Sequence, residues 1–188
     1  MQSPTLYNIE LPAYVWGLCY EYTFSVIRIE TIDEHHYDTI INQLDAWWGG
    51  REMVQMLPRL WFKHFQDTSF VALDQFQIPI GFLVGFISAS DKSKAYVHFI
   101  GVNPEHRGKN IGSSLYAEFF KVAKNRNCEF VEAVTSPSNQ DSLAFHESLE
   151  FYAVEPNDEK VAPLLAKYFK DYDGPNEDRV LLRKSLKD

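Results

Sequence analysis

Arg107, Gly108, Lys109, Asn110, Ile111 and Gly112 place two cations and two glycines within six positions. A β-rich run, Ala95 to Val102, leads into them, and an amphipathic pattern opens directly after. That is the order strand, turn, helix start. The first N–H groups of a helix have no partner within it, and the helix dipole favours negative charge there. Such a turn holds phosphate oxygens on backbone N–H groups, and Arg107 and Lys109 add charge at the same place. The expectation is a phosphorylated small-molecule ligand. A second group with chemical potential is Trp47-Trp48-Gly49-Gly50-Arg51. Two indoles, a flexible glycine pair and a planar guanidinium suit a substrate wall with a carboxylate or phosphate clamp. They equally suit a core tryptophan pair, a glycine helix stop and a surface arginine. His98 lies on the strand before the turn and shares a face with Tyr96 and Ile100 by the two-residue period. It suits a proton relay through water or a half-buried structural role. Glu132 reads as a carboxylate on an exposed strand face, and Glu34, His35 and His36 as a polar helix start. Adjacent histidines face two directions and do not suit a metal.

The chain has 188 residues, 45% of them apolar and 15% aromatic. That suffices for one domain with a real core and argues against disorder. The formal net charge is −8, which disfavours nucleic acid or an anionic membrane as the main partner. Two cysteines, Cys19 and Cys128, indicate neither a disulfide framework nor a metal cluster. No apolar run has the length to span a bilayer, and no signal peptide is visible. A cytoplasmic location is the default expectation.

Apolar spacing and turn residues set the elements that must position these groups. Thr23 to Glu30 reads as a strand. Asp33 to Trp48 reads as a helix stopped by Gly49-Gly50. Arg51 to Phe65 reads as a second helix, kinked or broken at Pro58. Ser69 to Asp74 and Ile80 to Ser88 form a hairpin, and Ala95 to Val102 continues it antiparallel. Ile111 to Asn125 is a helix with Leu115, Phe119 and Val122 on one stripe. Phe130 to Thr135 returns parallel to Ala95–Val102, because the intervening helix makes a crossover. Asn139 to Leu149 is a helix capped by Ser138 or Asn139. Ala153–Val154 begins a strand, and Arg179 to Leu186 is the last. Residues 1–22 read as an N-terminal extension. Residues 155–178 read as an insert with a short helix near Pro163 to Phe169. The fold class is mixed α/β: a single sheet, mostly antiparallel, with one central parallel pair and flanking helices. The G-x-G-x-x-G turn of dinucleotide folds and the G-x-x-x-x-G-K-[ST] loop are both missing.

This element order, with Arg107-Gly108-Lys109-Asn110-Ile111-Gly112 in its place, resembles the GCN5-related N-acetyltransferase superfamily. The family pattern there is [Q/R]-x-x-G-x-[G/A], so Asn110 stands where glycine is usual. Asparagine tolerates left-handed backbone angles, so the loop can still form. Val102-x-Pro104 is also family-like. So is the late run Asn139-x-x-Ser142-x-x-Phe145-His146-x-x-Leu149-Glu150-Phe151, with Glu150 in place of the usual glycine. The resemblance implies acetyl-coenzyme A as co-substrate and no metal. It implies that Arg107, Gly108, Lys109, Asn110, Ile111 and Gly112 hold the pyrophosphate with Ser113 beside them. Backbone groups of Phe99, Ile100, Gly101 and Val102 would then pair with the pantetheine arm, and Asn139 and Ser142 would touch the cofactor. Gly101 suits the strand bulge that the family carries there. His146 occupies the position where relatives often place a tyrosine that protonates the leaving thiolate. Imidazolium can do the same, though a packing histidine fits the position as well.

The resemblance therefore implies an acetyl-coenzyme A-dependent N-acetyltransferase of a small-molecule or peptide amine, working by direct attack in a ternary complex. Its catalytic candidates are His146 and His98. Its substrate-binding candidates are Trp47, Trp48 and Arg51. The alternative is a non-catalytic acyl-coenzyme A-binding or regulatory module of the same fold. The aromatic-rich run Tyr7 to Tyr22 suits a homodimer contact or the cover of a sheet edge.

Overall fold

The computed structural model describes residues 5–9, 25–155, 158–162 and 168–187, with side chains from 27–155 and 168–187. The strands are β1 Thr5–Ile9, β2 Ser25–Thr31, β3 Phe70–Leu73, β4 Pro79–Ile87, β5 Lys94–Val102, β6 Phe130–Thr135, β7 Tyr152–Glu155, β8 Asp158–Ala162 and β9 Val180–Ser185. The helices are α1 Tyr37–Trp47, α2 Leu60–His64, α3 Ile111–Asn125 and α4 Gln140–Ser148. The fold is mixed α/β with a mostly antiparallel sheet, one parallel strand pair and flanking helices, as the sequence indicates.

Two compact units make up the chain. The first comprises residues 1–84 and 99–118, the second residues 85–98 and 119–188. The division cuts no linker, because β4, β5 and α3 each run from one unit into the other.

In the first unit β1, β2, β3 and β4 pair antiparallel in that order, with Thr5 opposite Ile29, Arg28 opposite Leu73 and Phe70 opposite Leu83. β1 and its pairing escaped the sequence reading. The β3–β4 turn closes because the Asp74 carboxylate accepts from Phe76 N–H (2.8 Å) and Ile78 N–H (2.9 Å). Residues 33–48 follow the expectation. The Asp33 side chain accepts from His35 N–H at 2.9 Å, and His36 Nδ1 accepts from Asp33 N–H at 3.1 Å. These bonds satisfy donors that the helix start leaves over. Ile40, Leu44 and Trp47 then recur on the buried face of α1. Pro58 does break the second helix. What remains of residues 51–65 is a single 3-10 turn at Val54–Met56 and the short α2.

In the second unit β5 pairs parallel with β6 from Lys94↔Phe130 to Tyr96↔Glu132. β9 lies antiparallel to β6 on one side and to β7 on the other, and β7 pairs with β8. β8 was not expected, because Asp158-Glu159-Lys160 gives it a polar start. The short helix expected near 163–169 falls mostly outside the described residues. Its last residue, Phe169, instead exchanges backbone hydrogen bonds with Arg179. Most of Tyr7 to Tyr22, and Cys19, lie outside the described residues as well. Cys128 is buried, its thiol pushed up by burial. On β6 the Glu132 carboxylate receives Arg183 Nε (2.8 Å) and Nη2 (2.6 Å). Glu132 is therefore held by a buried cation rather than standing on an open face.

Gly85 on β4 has no room for a side chain. A Cβ there would lie 2.6 Å from the Phe119 ring and 2.7 Å from the Tyr96 carbonyl oxygen. The backbone contact has no rotamer by which to yield. Gly85→Ala is expected to cost about 1–3 kcal/mol of unfolding free energy, the range for overpacking a tight core. Urea denaturation of the purified variant measures it, and an unchanged midpoint would contradict this packing.

Candidate active site

The turn after β5 has the shape its residues suggest. The Asn103 side chain accepts from Glu105 N–H at 3.0 Å and starts a short turn at Pro104–His106. Gly108 then takes φ +75° and Asn110 φ +57°. Left-handed residues at alternate positions turn successive N–H groups toward one side, which makes a concavity for an anion. Asparagine thus fills the position where the family pattern has glycine, in the conformation that pattern needs. From Gly108 to Ser113, six consecutive N–H groups donate to no described residue, and the helical ladder is first entered by Ser114 N–H to Asn110 O. A Cβ at Gly108 would meet nothing within 4 Å, so the space beside this backbone is open.

The Arg107 guanidinium bonds to backbone outside the loop. Its Nη2 donates to Trp47 O at 2.8 Å and its Nε to Val102 O at 3.2 Å. The side chain braces backbone on both sides of the loop.

The Trp47–Arg51 segment separates into distinct roles. Trp47 is buried and stacked on Phe82, with ring centroids 6.0 Å apart. The substrate-wall expectation is therefore corrected for Trp47: its indole fills the core. Trp48 is half-buried against Phe99 at 4.9 Å, and its ring lies over the Gly101 backbone. A Cβ at Gly101 would collide with Trp48 and lie 2.8 Å from Phe82. Gly101 is therefore required for close approach of an indole. Gly49 and Gly50 both adopt positive φ and end α1. Arg51 is exposed, and its guanidinium bonds to no described residue. One contributor went unnoticed in the sequence. Asp45 Oδ1 accepts from Met53 N–H (2.7 Å) and Val54 N–H (3.2 Å), which closes the loop that carries Trp48 and Arg51. The available signal was an aspartate one turn ahead of a Gly-Gly stop.

The remaining candidates belong to the second unit. Along β5, Ala95 and Val97 are buried while Tyr96 and His98 are half-buried, so His98 lies on the less covered face. Asn139 caps α4 by accepting from Ser142 N–H at 3.2 Å. His146 Nδ1 lies 2.7 Å from Ser142 O and 3.3 Å from Ser142 Oγ. A carbonyl only accepts, so Nδ1 carries a proton and Nε2 of the neutral ring does not. The ring is 4% exposed and sits edge-on to Phe145 and Phe151. Burial pushes the imidazole below its ordinary range. This environment disfavours the imidazolium that a general acid needs, and it matches a packing histidine. Glu150, in the usual glycine position, adopts φ +63°, and its carboxylate meets Lys184 Nζ at 2.8 Å. That lysine pulls the Glu150 carboxyl below the usual range. Among the described residues no group of three His, Cys, Asp or Glu side chains could hold a metal.

The sequence profile of the Acetyltransferase (GNAT) family matches residues 29–151. The chain belongs to this family. Residues 107–112 lie within the matched span, with Asn110 in the left-handed conformation. The L-2,4-diaminobutyric acid acetyltransferase of Halalkalibacterium halodurans is 32% identical over 87 residues, 46% of either chain. That of Shouchella clausii is 30% identical over 87 residues, 46% of this chain and 48% of the relative. The chain spans about half the length of these curated relatives. Among solved structures, the diaminobutyrate acetyltransferase of Paenibacillus lautus, in complex with L-2,4-diaminobutyric acid and coenzyme A, superposes with a TM-score of 0.61. It is 15% identical and covers 86% of this chain and 96% of its own. That likeness is one of fold.

Two substitutions test the loop and one tests α4. Asn110→Val is expected to cost about 1–2 kcal/mol, the penalty of left-handed backbone for a residue with a bulky Cβ. Asn110→Gly should hold the wild-type urea midpoint or raise it. In α4, the folded chain holds His146 below its ordinary value, so the unfolded chain binds the proton more readily. The stability this gives is complete above the ordinary histidine value of 6.5. It is lost as pH falls below that value toward the lowered folded one. Thermal melts at pH 7 and pH 5 should show a smaller acid loss for His146→Gln than for the wild type.

Proposed function

We propose that this GNAT-family chain is an acetyl-coenzyme A-dependent N-acetyltransferase whose acceptor is a small-molecule amine bearing a carboxylate. The observation that carries the reading is the run of six backbone N–H groups, Gly108 to Ser113, that have no described acceptor. A pyrophosphate supplies the acceptors those donors lack, so the residues present fit the cofactor. When bound, acetyl-coenzyme A supplies an acetyl group activated as a thioester.

The chain's own groups divide the remaining work. Gly108 to Ser113 hold the phosphate oxygens, with Lys109 adding positive charge. Backbone groups of Phe99 to Val102 hold the pantetheine arm and the thioester carbonyl. Asn139 and Ser142 keep the role of cofactor contacts that the family resemblance gives them. Trp48 walls the amine side, and the Arg51 guanidinium pairs with the acceptor's carboxylate. The proton the amine must lose passes to solvent water. The amine nitrogen bonds to the acetyl carbon, the carbon–sulfur bond breaks, and the thiol leaves with a proton from solvent. In this reading His146 packs α4 and takes no part in proton transfer. The carboxylate on the acceptor is supported by the relatives named for L-2,4-diaminobutyric acid and by the charge of Arg51, which pairs with no described residue.

Two measurements on the full chain test the proposal. Isothermal titration with coenzyme A should show saturable binding, and its absence would sink the reading. Thiol release from acetyl-coenzyme A should require an added amine and be faster with L-2,4-diaminobutyrate than with 1,3-diaminopropane, which lacks the carboxylate. Binding without release for any amine would instead identify a non-catalytic acyl-coenzyme A module.

A further inference from the structure

Arg107 opens the cofactor loop, yet both hydrogen bonds of its side chain go to backbone outside that loop. Nη2 donates to Trp47 O at 2.8 Å and Nε to Val102 O at 3.2 Å. Trp47 is the last residue of α1, so its carbonyl is one that the helix itself leaves unpaired. A cation at that end also meets the negative pole of the helix dipole. Val102 is the last residue of β5. One guanidinium therefore ties the end of a helix to the end of a strand, and both lie in the first unit.

The residue after Trp47 begins the segment that the proposed function gives to the amine. Trp48 N–H and Gly50 N–H donate to Asp45 O at 3.1 and 2.8 Å. Asp45 Oδ1 closes the far end at Met53 and Val54. The loop from 48 to 53 thus hangs between two anchors, Asp45 beneath it and Arg107 at the carbonyl just before it. Gly49 and Gly50 sit between those anchors and add no side-chain contact of their own.

We infer that Arg107 is a positioning residue for the amine-side loop, coupling it to the cofactor loop, and that it is not a ligand of the cofactor's phosphates. The inference rests on the proposed function for what the two loops bind. Its consequence is directional. Phosphate is held by N–H groups from Gly108 onward, so losing the Arg107 fork leaves cofactor affinity nearly intact. What it loosens is the placement of Trp48 and Arg51, and with it recognition of the amine.

Arg107→Lys separates the two roles, because it keeps the charge but replaces a two-pronged fork with a single point donor. Amide hydrogen exchange in the ligand-free protein is the first readout. Trp48, Gly49 and Gly50 should exchange about tenfold faster in the variant, as expected for loss of a hydrogen bond from a charged group. Coenzyme A affinity by titration should stay within about threefold of the wild type, while the KM for L-2,4-diaminobutyrate rises by about tenfold. Unchanged exchange at residues 48–50 would overturn the inference. So would a loss of coenzyme A affinity as large as the rise in amine KM. The exchange arm needs no turnover. An inactive wild type would count against the proposed function, and the exchange rates at residues 48–50 would still decide the role of Arg107.

Discussion

The geometry of the first unit depends on a side chain that is not there. Position 101 of β5 must be glycine, because the Trp48 ring occupies the volume a Cβ would take and Phe82 stands 2.8 Å from the same point. That contact fixes where the end of α1 sits relative to the last residues of β5. Once it is fixed, Trp47 can stack on Phe82, Trp48 can rest on Phe99, and Arg107 can reach two carbonyls at once. Interiors pack as densely as crystals, so an indole this close leaves no slack. The loops at 48–53 and 107–112 inherit their spacing from one absent methyl group.

The turn from Gly108 to Ser113 follows a different logic. Its donors come from backbone, and only backbone angles aim them. Gly108 and Asn110 supply left-handed angles on either side of Lys109, and the helix start supplies the donors that follow. Side chains in this loop can therefore vary while the turn keeps its shape, provided those two positions accept positive φ. Asparagine at position 110 satisfies that condition at a small cost, since its short polar side chain adapts to left-handed backbone.

Much of this was legible in the sequence, and what was missed shares a cause. α3 and β6 begin and end where the pattern of apolar residues and turns places them, because Leu115, Phe119 and Val122 repeat at helical spacing and Phe130 to Thr135 alternates. Asn110 could be judged by its known tolerance of one backbone region. β1 and β8 were missed because neither contains an alternating apolar run bounded by clear turns, and strand pairing is decided by partners far along the chain. The bracing role of Arg107 was also hidden, since it depends on Trp47, sixty residues away. Trp47 and Trp48 look alike in sequence. Only the angular step between neighbours on a helix sends one to the core and leaves the other at its border. His146 shows the same limit: its type allows acid chemistry, while its burial against Phe151 argues for the neutral ring.

Glu150 has a consequence of its own. A glycine at the end of α4 would take the left-handed turn through its own conformational freedom. Glutamate instead takes it with its carboxylate clasped by Lys184. The pair is exposed on the glutamate side, and mobile ions weaken such a contact. Position 150 therefore acts as an ionic latch. In concentrated salt this contact weakens, while the backbone bonds that close the turn, Glu150 N–H to Glu147 O and Phe151 N–H to His146 O, stay in place. A helix end that glycine would make indifferent to its surroundings has become responsive to ionic strength.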